Sequence, residues 1–325
     1  MPLRVEPAVK PLVCLLGGTG FVGGHLAALL SAHGYRVRIP TRRAQRHRDL
    51  RVLPGIELVE ADVHDTVALR ALLQGCAAAV NLVAVLNEGG AGRFQDVHVK
   101  LPRNLVKLCR EAGVNRLLHM SALNADAQRG PSRYLKSRGE GEDLVHQAEG
   151  LEVTTFRPSV IFGPDDHFFN RFACLLRLPV PVFPLACPRA RFAPVFVGDV
   201  AQAMRIALED PRTIGQRYDL CGPRAYTLKE LVEFTARGLG LRRQVLGLSP
   251  MLSRLQAAVM GHLPGKAFTH DNYLSLQVDA VCGGDFPAVF GVAPATVEAV
   301  VPVYLGHRDQ RGRFDEYRQR ARHNY

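Results

Sequence analysis

The sequence predicts an α/β fold, a doubly wound parallel sheet with a smaller, interleaved C-terminal domain on the substrate or partner side. Three observations predict it. Between residues 12 and 123, short apolar runs alternate with longer amphipathic stretches. A glycine-rich turn joins the first run to the first stretch. Beyond about residue 165 the alternation gives way to a proline-rich, less regular pattern.

The runs LVCLL, YRVRIP, IELVEA, AAAVNLVAV and RLLHMSA read as strands, since they are short, rich in apolar residues and bounded by turn residues. Segments 21–34, 66–75 and 96–112 read as helices, with apolar positions recurring every three to four residues. Strand–helix–strand order requires crossover connections, hence parallel strands. A further helix begins near Tyr134, and GLEVTTFRPSVIFGP supplies the next strand. After the proline-rich 177–194 come a short helix at 198–208, RYDLCGP, the helix TLKELVEFTARGLG and the segment MLSRLQAAVMGHL. The expected domains are 1–165, its sheet completed by parts of 190–225, and 166–325, mostly the smaller domain with a basic tail.

Hydrophobic content of 47% with near-zero mean hydropathy is that of an ordinary globule. No apolar run approaches the roughly 18 residues that span a bilayer, so an integral membrane protein is not expected. Strand-like PLVCLL begins after ten residues and Glu6 interrupts what precedes it. No targeting segment is expected, and the location expected is cytoplasmic. The seven cysteines (Cys14, Cys76, Cys109, Cys174, Cys187, Cys221, Cys282) are scattered, with no C-x-x-C pair. Reduced thiols and no metal site are the expectation.

The net charge of +11 comes from 35 arginines and six lysines against 30 acids, with clusters at 36–51 and in the tail GHRDQRGRFDEYRQRARHNY. Such a charge favours contact with nucleic acid, an acidic partner or an anionic membrane surface. Nucleic acid is not expected, because no base-reading module appears and the aromatics are not interleaved with the basic residues.

LLGGTGFVGGHLAALL carries Gly17-x-x-Gly20-x-x-Gly23 between a strand and a helix. Glycines there allow a tight turn, close backbone approach to a pyrophosphate and close helix packing, while the helix N-terminus supplies free N–H groups. Gly17, Thr19, Gly20, Phe21, Val22 and Gly23 are therefore candidate cofactor-binding residues of a Rossmann-type site. A site selecting NAD places a carboxylate about twenty residues on. This sequence has Thr41, Arg42 and Arg43, with two guanidinium forks suited to a 2′-phosphate, so NADP(H) is expected. Asp62 and Val63 are placed to border the adenine, and Val83 and Ala84 in NLVAV to pass beneath the cofactor's middle.

Tyr134 heads the turn SRYLKSRGEGE, and its neighbour on a helical face is Arg138, at i+4, rather than Lys136.

The glycine motif, the Tyr-centred turn and RPSVIFGP resemble an extended or atypical short-chain dehydrogenase/reductase. More narrowly, VHVKLPRNLV, MSALNADAQRGPSRYLKSRGEGE, RPSVIFGPDDHFFNRF, FAPVFVGDVAQAM, YDLCGPRAYTLKELVEF and SLQVDAV resemble the family of the nucleotide-binding accessory subunit of respiratory complex I and its bacterial relatives. The match runs to about residue 305. It implies tightly held NADPH, a tie to quinone respiration (complex I or ubiquinone metabolism) and a largely redox-silent role. The alternative is an active NADP-dependent reductase or epimerase on a quinone-related, isoprenoid or other small carbonyl compound.

The short-chain dehydrogenase pair is Tyr-x-x-x-Lys, in which the ammonium stabilises tyrosinate and holds the nicotinamide ribose. Tyr134 and Arg138 stand in that spacing here. Arginine supplies the charge, roughly 3 kcal/mol at about 5 Å and an effective dielectric of ~20. Its planar, permanently protonated fork does not supply the compact geometry or a proton relay. By resemblance Tyr134, Arg138 and Ser121 are the catalytic candidates, and Tyr134, Arg138 and Pro158 also border the cofactor.

Remaining features have blander expected roles. His98 is expected to be buried and satisfied, and Asp165, Asp166 and His167 to form a polar turn. Arg157 and Asp199 are expected to pair with backbone or with each other. Met251, Leu252, Leu255, Ala258, Val259 and Leu263 share a helical face, for which core packing is the expected role. The alternative is docking on a respiratory complex I or other membrane-associated partner, or on the anionic inner face of the cytoplasmic membrane, aided by the arginine-rich tail.

Overall fold

The computed structural model describes residues 10–88, 93–262 and 268–305. Its first half alternates strand and helix: β1 (Leu12–Leu16), α1 (Phe21–Ala32), β2 (Arg36–Thr41), the short α2 (Arg48–Arg51), β3 (Ile56–Glu60), α3 (Thr66–Leu73), β4 (Ala78–Asn81), α4 (Arg93–Gln95), α5 (Leu101–Ala112), β5 (Arg116–Met120), α6 (Arg133–His146) and β6 (Glu152–Pro158). The helix expected from residue 96 is split. Asp96–Lys100 forms a π-helical turn, and the α-helix proper starts at Leu101 with Pro102 in its first turn.

β1 and β5 are buried along their whole length, as strands covered by helices on both faces must be, which is why neither alternates in polarity. Asp65 caps α3 by accepting from Val67 N–H at 2.8 Å. Gly113, at φ +71°, ends α5 in the left-handed conformation that glycine adopts without strain.

The second half adds β7 (Ile161–Phe162), α7 (Phe169–Leu176), β8 (Val182–Leu185), β9 (Arg191–Phe192), β10 (Val195–Phe196), α8 (Val197–Glu209), β11 (Gln216–Leu220), β12 (Tyr226–Thr227), α9 (Leu228–Gly238), β13 (Gln244–Gly247), α10 (Pro250–His262), α11 (His270–Ser275) and α12 (Val297–Leu305). Seven parallel strands form one sheet, in the order β3-β2-β1-β4-β5-β6-β11. The chain reverses its direction of winding between β1 and β4, the switch point at which doubly wound sheets open a crevice. Leu26 and Leu30 of α1 and Val200 and Met204 of α8 cover one face of the sheet. Leu69 and Leu73 of α3, Leu105 and Leu108 of α5, and Val145 of α6 cover the other.

The smaller region is held by strand pairs β7–β10, β9–β12 and β8–β13, and by a core containing Phe162, Phe169, Leu231, Val297 and Val301. Among the described residues no helix is long and apolar enough to cross a membrane.

Two expectations fail. Cys221, just after β11, and Cys282 are joined in a disulfide, so the cysteines are not all free thiols. Their separation of 61 residues left no sign of the pairing in the sequence. The apolar face of α10 is not core: Met251, Leu252, Leu255 and Val259 are exposed, and Ser253 and Ala257 are buried instead. The inner side of α10 lies against backbone, where Ser253 Oγ accepts from Cys187 N–H at 3.1 Å, so small residues face inward. Leu263 and the arginine-rich tail lie outside the described residues.

Candidate functional site

Each glycine of the β1–α1 turn answers a separate steric demand. Gly17 has φ +79°, and a Cβ there would stand 3.0 Å from the Leu82 carbonyl carbon. A Cβ on buried Gly23 would overlap the Gly17 carbonyl oxygen, so Gly23 lets α1 approach the turn. Gly20 is exposed, and a Cβ there would meet the Gly17 oxygen alone, at 3.2 Å. Gly18, which the motif spacing does not single out, is just as tight: its Cβ would come within 2.7 Å of Ile39 Cγ2.

α1 then starts with Gly20 as its N-cap, no side chain bonding its first N–H groups and no acid in its first turn. Thr19, Phe21 and Val22 line the turn half-buried. Open backbone donors at the positive end of a helix, beside an unobstructed Cα, suit a pyrophosphate. The dinucleotide that the turn implies therefore fits the residues present.

The other candidates follow the carboxyl ends of neighbouring strands. Thr41 ends β2, buried, and Arg42 and Arg43 are exposed after it, with Arg43 N–H on Thr41 Oγ1 at 3.4 Å. Asp62, exposed after β3, accepts from His64 N–H at 3.0 Å, and Val63 is half-buried. After β4, buried Asn81 accepts from Val83 N–H at 3.2 Å, which shapes the turn into half-buried Val83 and exposed Ala84. Ser121 follows β5, and Pro158 ends β6 with its carbonyl accepting from Leu123 N–H at 3.0 Å. The predicted residues thus gather along one edge of the parallel sheet, on both sides of the switch point.

Tyr134 lies in the first turn of α6, capped by Ser132, whose Oγ accepts from Leu135 N–H at 3.1 Å. Its ring is wedged against Phe94 and His98, with centroids 6.0 and 5.6 Å away. His98 is buried and satisfied: Nε2 accepts from Val85 N–H at 3.2 Å, leaving Nδ1 to donate to Ser137 Oγ at 2.9 Å. Ser137 Oγ in turn donates to the Tyr134 carbonyl at 2.9 Å. Burial, aided by the Arg138 charge, pushes the His98 imidazole down to about 3, so it stays neutral at physiological pH.

Arg138 is almost wholly buried, and its Nη2 donates to the carbonyls of Met120 and, at 2.8 Å, Ser121. Burial lowers the affinity of this guanidinium for its proton, and Tyr134 and Glu142 oppose the shift. Arg138 Nε and the buried Ser121 Oγ have no hydrogen-bond partner. Lys136 is exposed, as expected for the i+2 position. The cation four residues after the tyrosine is therefore committed to the end of β5. Chemically, the edge can hold a dinucleotide and present a phenol and a buried hydroxyl, but it has no lysine at the position where a ribose-holding ammonium would stand.

The blander candidates resolve as structure. Asp166 caps α7, accepting from Phe168 N–H at 2.9 Å, Asn170 N–H at 3.1 Å and the Tyr304 hydroxyl at 2.7 Å. Asp199 takes a backbone partner, Ala295 N–H at 2.8 Å. Arg157 pairs with neither backbone nor Asp199; its guanidinium grips buried Glu142, which Arg217 also holds. A buried carboxylate needs cations, and β6 and β11 lie side by side and bring two. Two further groups at the site were missed. His119 on β5, wholly buried, meets Asn81 at 3.3 Å, and burial with the nearby Arg138 charge holds it well below an ordinary histidine. Asp271 on α11 caps α6 from far along the chain and gave no local signal.

Residues 13–221 match the NAD dependent epimerase/dehydratase family. The chain is 33% identical over 225 residues to NADH dehydrogenase (ubiquinone) 1 alpha subcomplex subunit 9, mitochondrial, of Mus musculus, covering 68% of this chain and 59% of that protein. It is 30% identical over 262 residues to ceramide reductase of Caulobacter vibrioides, covering 76% of this chain and 74% of that one. The solved structure of DesIV, a dTDP-glucose 4,6-dehydratase from Streptomyces venezuelae with NAD and DAU bound, superposes with a TM-score of 0.72 at 20% identity, covering 94% of this chain and 99% of that one. That last likeness speaks for the fold alone. By the match over its sheet, and with the complex I subunit resemblance read from its motifs met again among its relatives, the chain belongs to the NAD dependent epimerase/dehydratase family.

Proposed function

We propose that this chain holds NADP(H) along the carboxyl edge of its sheet and acts as a largely redox-silent accessory or assembly factor of quinone-linked respiration, at the inner face of the cytoplasmic membrane. The observation that carries the reading is the state of Arg138. Its Nη2 is spent on the Met120 and Ser121 carbonyls, so the phenol of Tyr134 lacks the mobile ammonium partner of a working reductase. Preference for NADP(H) rests on exposed Arg42 and Arg43 after Thr41, where an NAD site would carry a carboxylate. The tie to respiratory complex I, or to ubiquinone metabolism, rests on the mouse relative's name.

Releasing the nucleotide from freshly purified protein and identifying it tests the cofactor, and NADP(H) in near-stoichiometric amount is expected. Incubation with NADPH and a panel of quinones, isoprenoid ketones and other carbonyl compounds tests the role. Turnover far below about 1 per second is expected.

A second reading is an active NADP-dependent reductase or epimerase. Ser121 Oγ favours it, since a buried hydroxyl with no partner beside the tyrosine's helix is what a substrate carbonyl would use. The ceramide reductase relative favours it too.

A further inference from the structure

Helix α10 is built inside out. Ser253 and Ala257, 1% and 0% exposed, face the protein, while Met251, Leu252, Leu255 and Val259 stand 80%, 46%, 57% and 58% exposed. At i, i+1, i+4 and i+8 the four fall on one helical face. The inner face is fixed by polar bonds: Gln256 Nε2 donates to the Pro184 carbonyl of β8 at 3.2 Å, and Ser253 Oγ accepts from Cys187 N–H at 3.1 Å. Off the helix, Leu246 of β13 and Val182 of its partner strand β8 are exposed as well. Arg243 holds the loop before β8 in place, donating to the carbonyls of Leu176, Leu178 and Val180 at 3.1, 2.9 and 2.8 Å, with Leu178 and Val180 also exposed.

Charge is segregated onto the same unit. No Asp or Glu occurs between Asp166 and Asp199 or between Glu233 and Asp271, and these two stretches contain β8, β13 and α10 entirely. Together they carry nine lysines and arginines, most of the chain's net +11. Arg189 after β8, Arg242 before β13 and Arg254 on α10 itself are exposed. A second copy of the chain would bring like charge against like. A protein socket would need the aliphatic face but gives no reason for clearing carboxylates from 69 residues. A bilayer with anionic headgroups accounts for both, taking up the aliphatic side chains at its interface and the guanidinium groups at its phosphates.

We infer that the outer face of α10, with the adjoining β8–β13 edge, is a peripheral docking surface for an anionic lipid bilayer. The inference deepens the membrane-side placement proposed above and does not depend on which nucleotide is held. It also gives the placement a direction. α10 packs on α11 and α11 on α6, so the docked surface is joined through a single helix to the one that carries Tyr134.

The test is sedimentation of the full chain with vesicles of pure phosphatidylcholine and with vesicles containing about 30% phosphatidylglycerol, alongside NADPH calorimetry. Wild type is expected to partition to the anionic vesicles at least about tenfold more strongly than to the neutral ones, and Leu255→Glu with Val259→Glu to lose at least about tenfold of that binding. Arg242→Gln with Arg254→Gln is expected to lose at least about tenfold as well. All variants change exposed side chains, and unchanged NADPH affinity shows that each is folded and that the nucleotide reading stands separately. Absence of vesicle binding overturns the inference, as does binding that the variants leave intact. So does a dimer in sedimentation velocity, or lipid-independent binding to a purified membrane protein, that Leu255→Glu with Val259→Glu abolishes.

Discussion

Asp271 is the far anchor of Tyr134. Its Oδ2 accepts from Tyr134 N–H at 3.1 Å and its Oδ1 from Arg133 N–H at 2.8 Å, across 137 residues of sequence. With Ser132 on Leu135 N–H, the two caps satisfy three of the N–H groups that the start of α6 leaves orphaned. A second bond, Ser275 Oγ to Ser132 Oγ at 2.8 Å, ties the same two helices. The tyrosine's place at the sheet edge is thus set from the C-terminal region.

Asp271→Ala should therefore destabilise the protein by about 1 kcal/mol, the scale of a lost cap and a lost favourable charge at a helix N-terminus. Asp271→Asn, which keeps an acceptor, should recover part of the loss. Urea midpoints of the two variants measure this. Equal, unchanged midpoints would mean the contact contributes nothing.

The second and third glycines of the motif should separate binding from folding. Gly20→Val meets only the Gly17 carbonyl oxygen, at 3.2 Å from its Cβ, with the rest of its side chain on the exposed side of the turn, and should leave the urea midpoint near wild type while abolishing nucleotide binding. Gly23→Ala drives a Cβ onto the Gly17 carbonyl and should cost more than about 2 kcal/mol of stability. Nucleotide retained by Gly20→Val would put the site elsewhere.

What the sequence made legible follows the range of the interactions concerned. β1 was readable because burial on both faces forces an uninterrupted apolar run, β5 because most of its buried positions are apolar, and the Gly17–Gly23 turn because tight backbone packing restricts residue type locally. His98 was readable as buried and satisfied. Partners set by folding were not. Arg157 found Glu142, and Cys221 found Cys282, because helix and strand packing placed them together, and neither pairing has a spacing rule. α10 misled for a physical reason: periodicity marks which residues share a face, but it does not say whether that face turns inward.

Replacing Arg42 and Arg43 together by alanine should weaken NADPH by roughly 2–4 kcal/mol, the scale of two charge-assisted bonds to a phosphate, and leave NADH nearly unchanged. Calorimetry with both nucleotides checks it. NADH binding as tightly as NADPH in the wild type would overturn the preference.

Acid should destabilise the fold through buried His98 and half-buried His146. Burial pushes His98 to about 3 and His146 to about 4, below the ordinary 6.5 that each has when unfolded. Below pH 6.5 the unfolded chain binds more protons than the folded one. Stability therefore falls as pH drops from 6.5, and each group's contribution is fully lost only at its folded value. His98 alone should contribute a slope of up to about 1.4 kcal/mol per pH unit in that window. His98→Asn, able to accept from Val85 N–H and donate to Ser137, should flatten the dependence by that amount between pH 6 and 5. A slope that the variant leaves unchanged would show that His98 titrates normally.

The sharpest test lies in Tyr134 and Arg138. Arg138→Ala would leave the Met120 and Ser121 carbonyls unpaired in a buried site, a loss of about 2–4 kcal/mol, so it would report on folding as much as on chemistry. Arg138→Lys keeps a cation, and its ammonium has three rotatable donors to place. It should retain NADPH and either stay inert or gain a weak reductase activity, because a lysine can leave the carbonyls for a ribose and the fixed guanidinium does not. Tyr134→Phe should leave any assembly role intact, since the Tyr134 groups that bond Asp271 and Ser137 are backbone atoms. The opposite outcome is wild-type turnover of a carbonyl compound at about 1 per second or faster, abolished by Tyr134→Phe. Ser121, with its unpartnered buried hydroxyl, would then be the carbonyl-polarising group, and the redox-silent reading would be wrong.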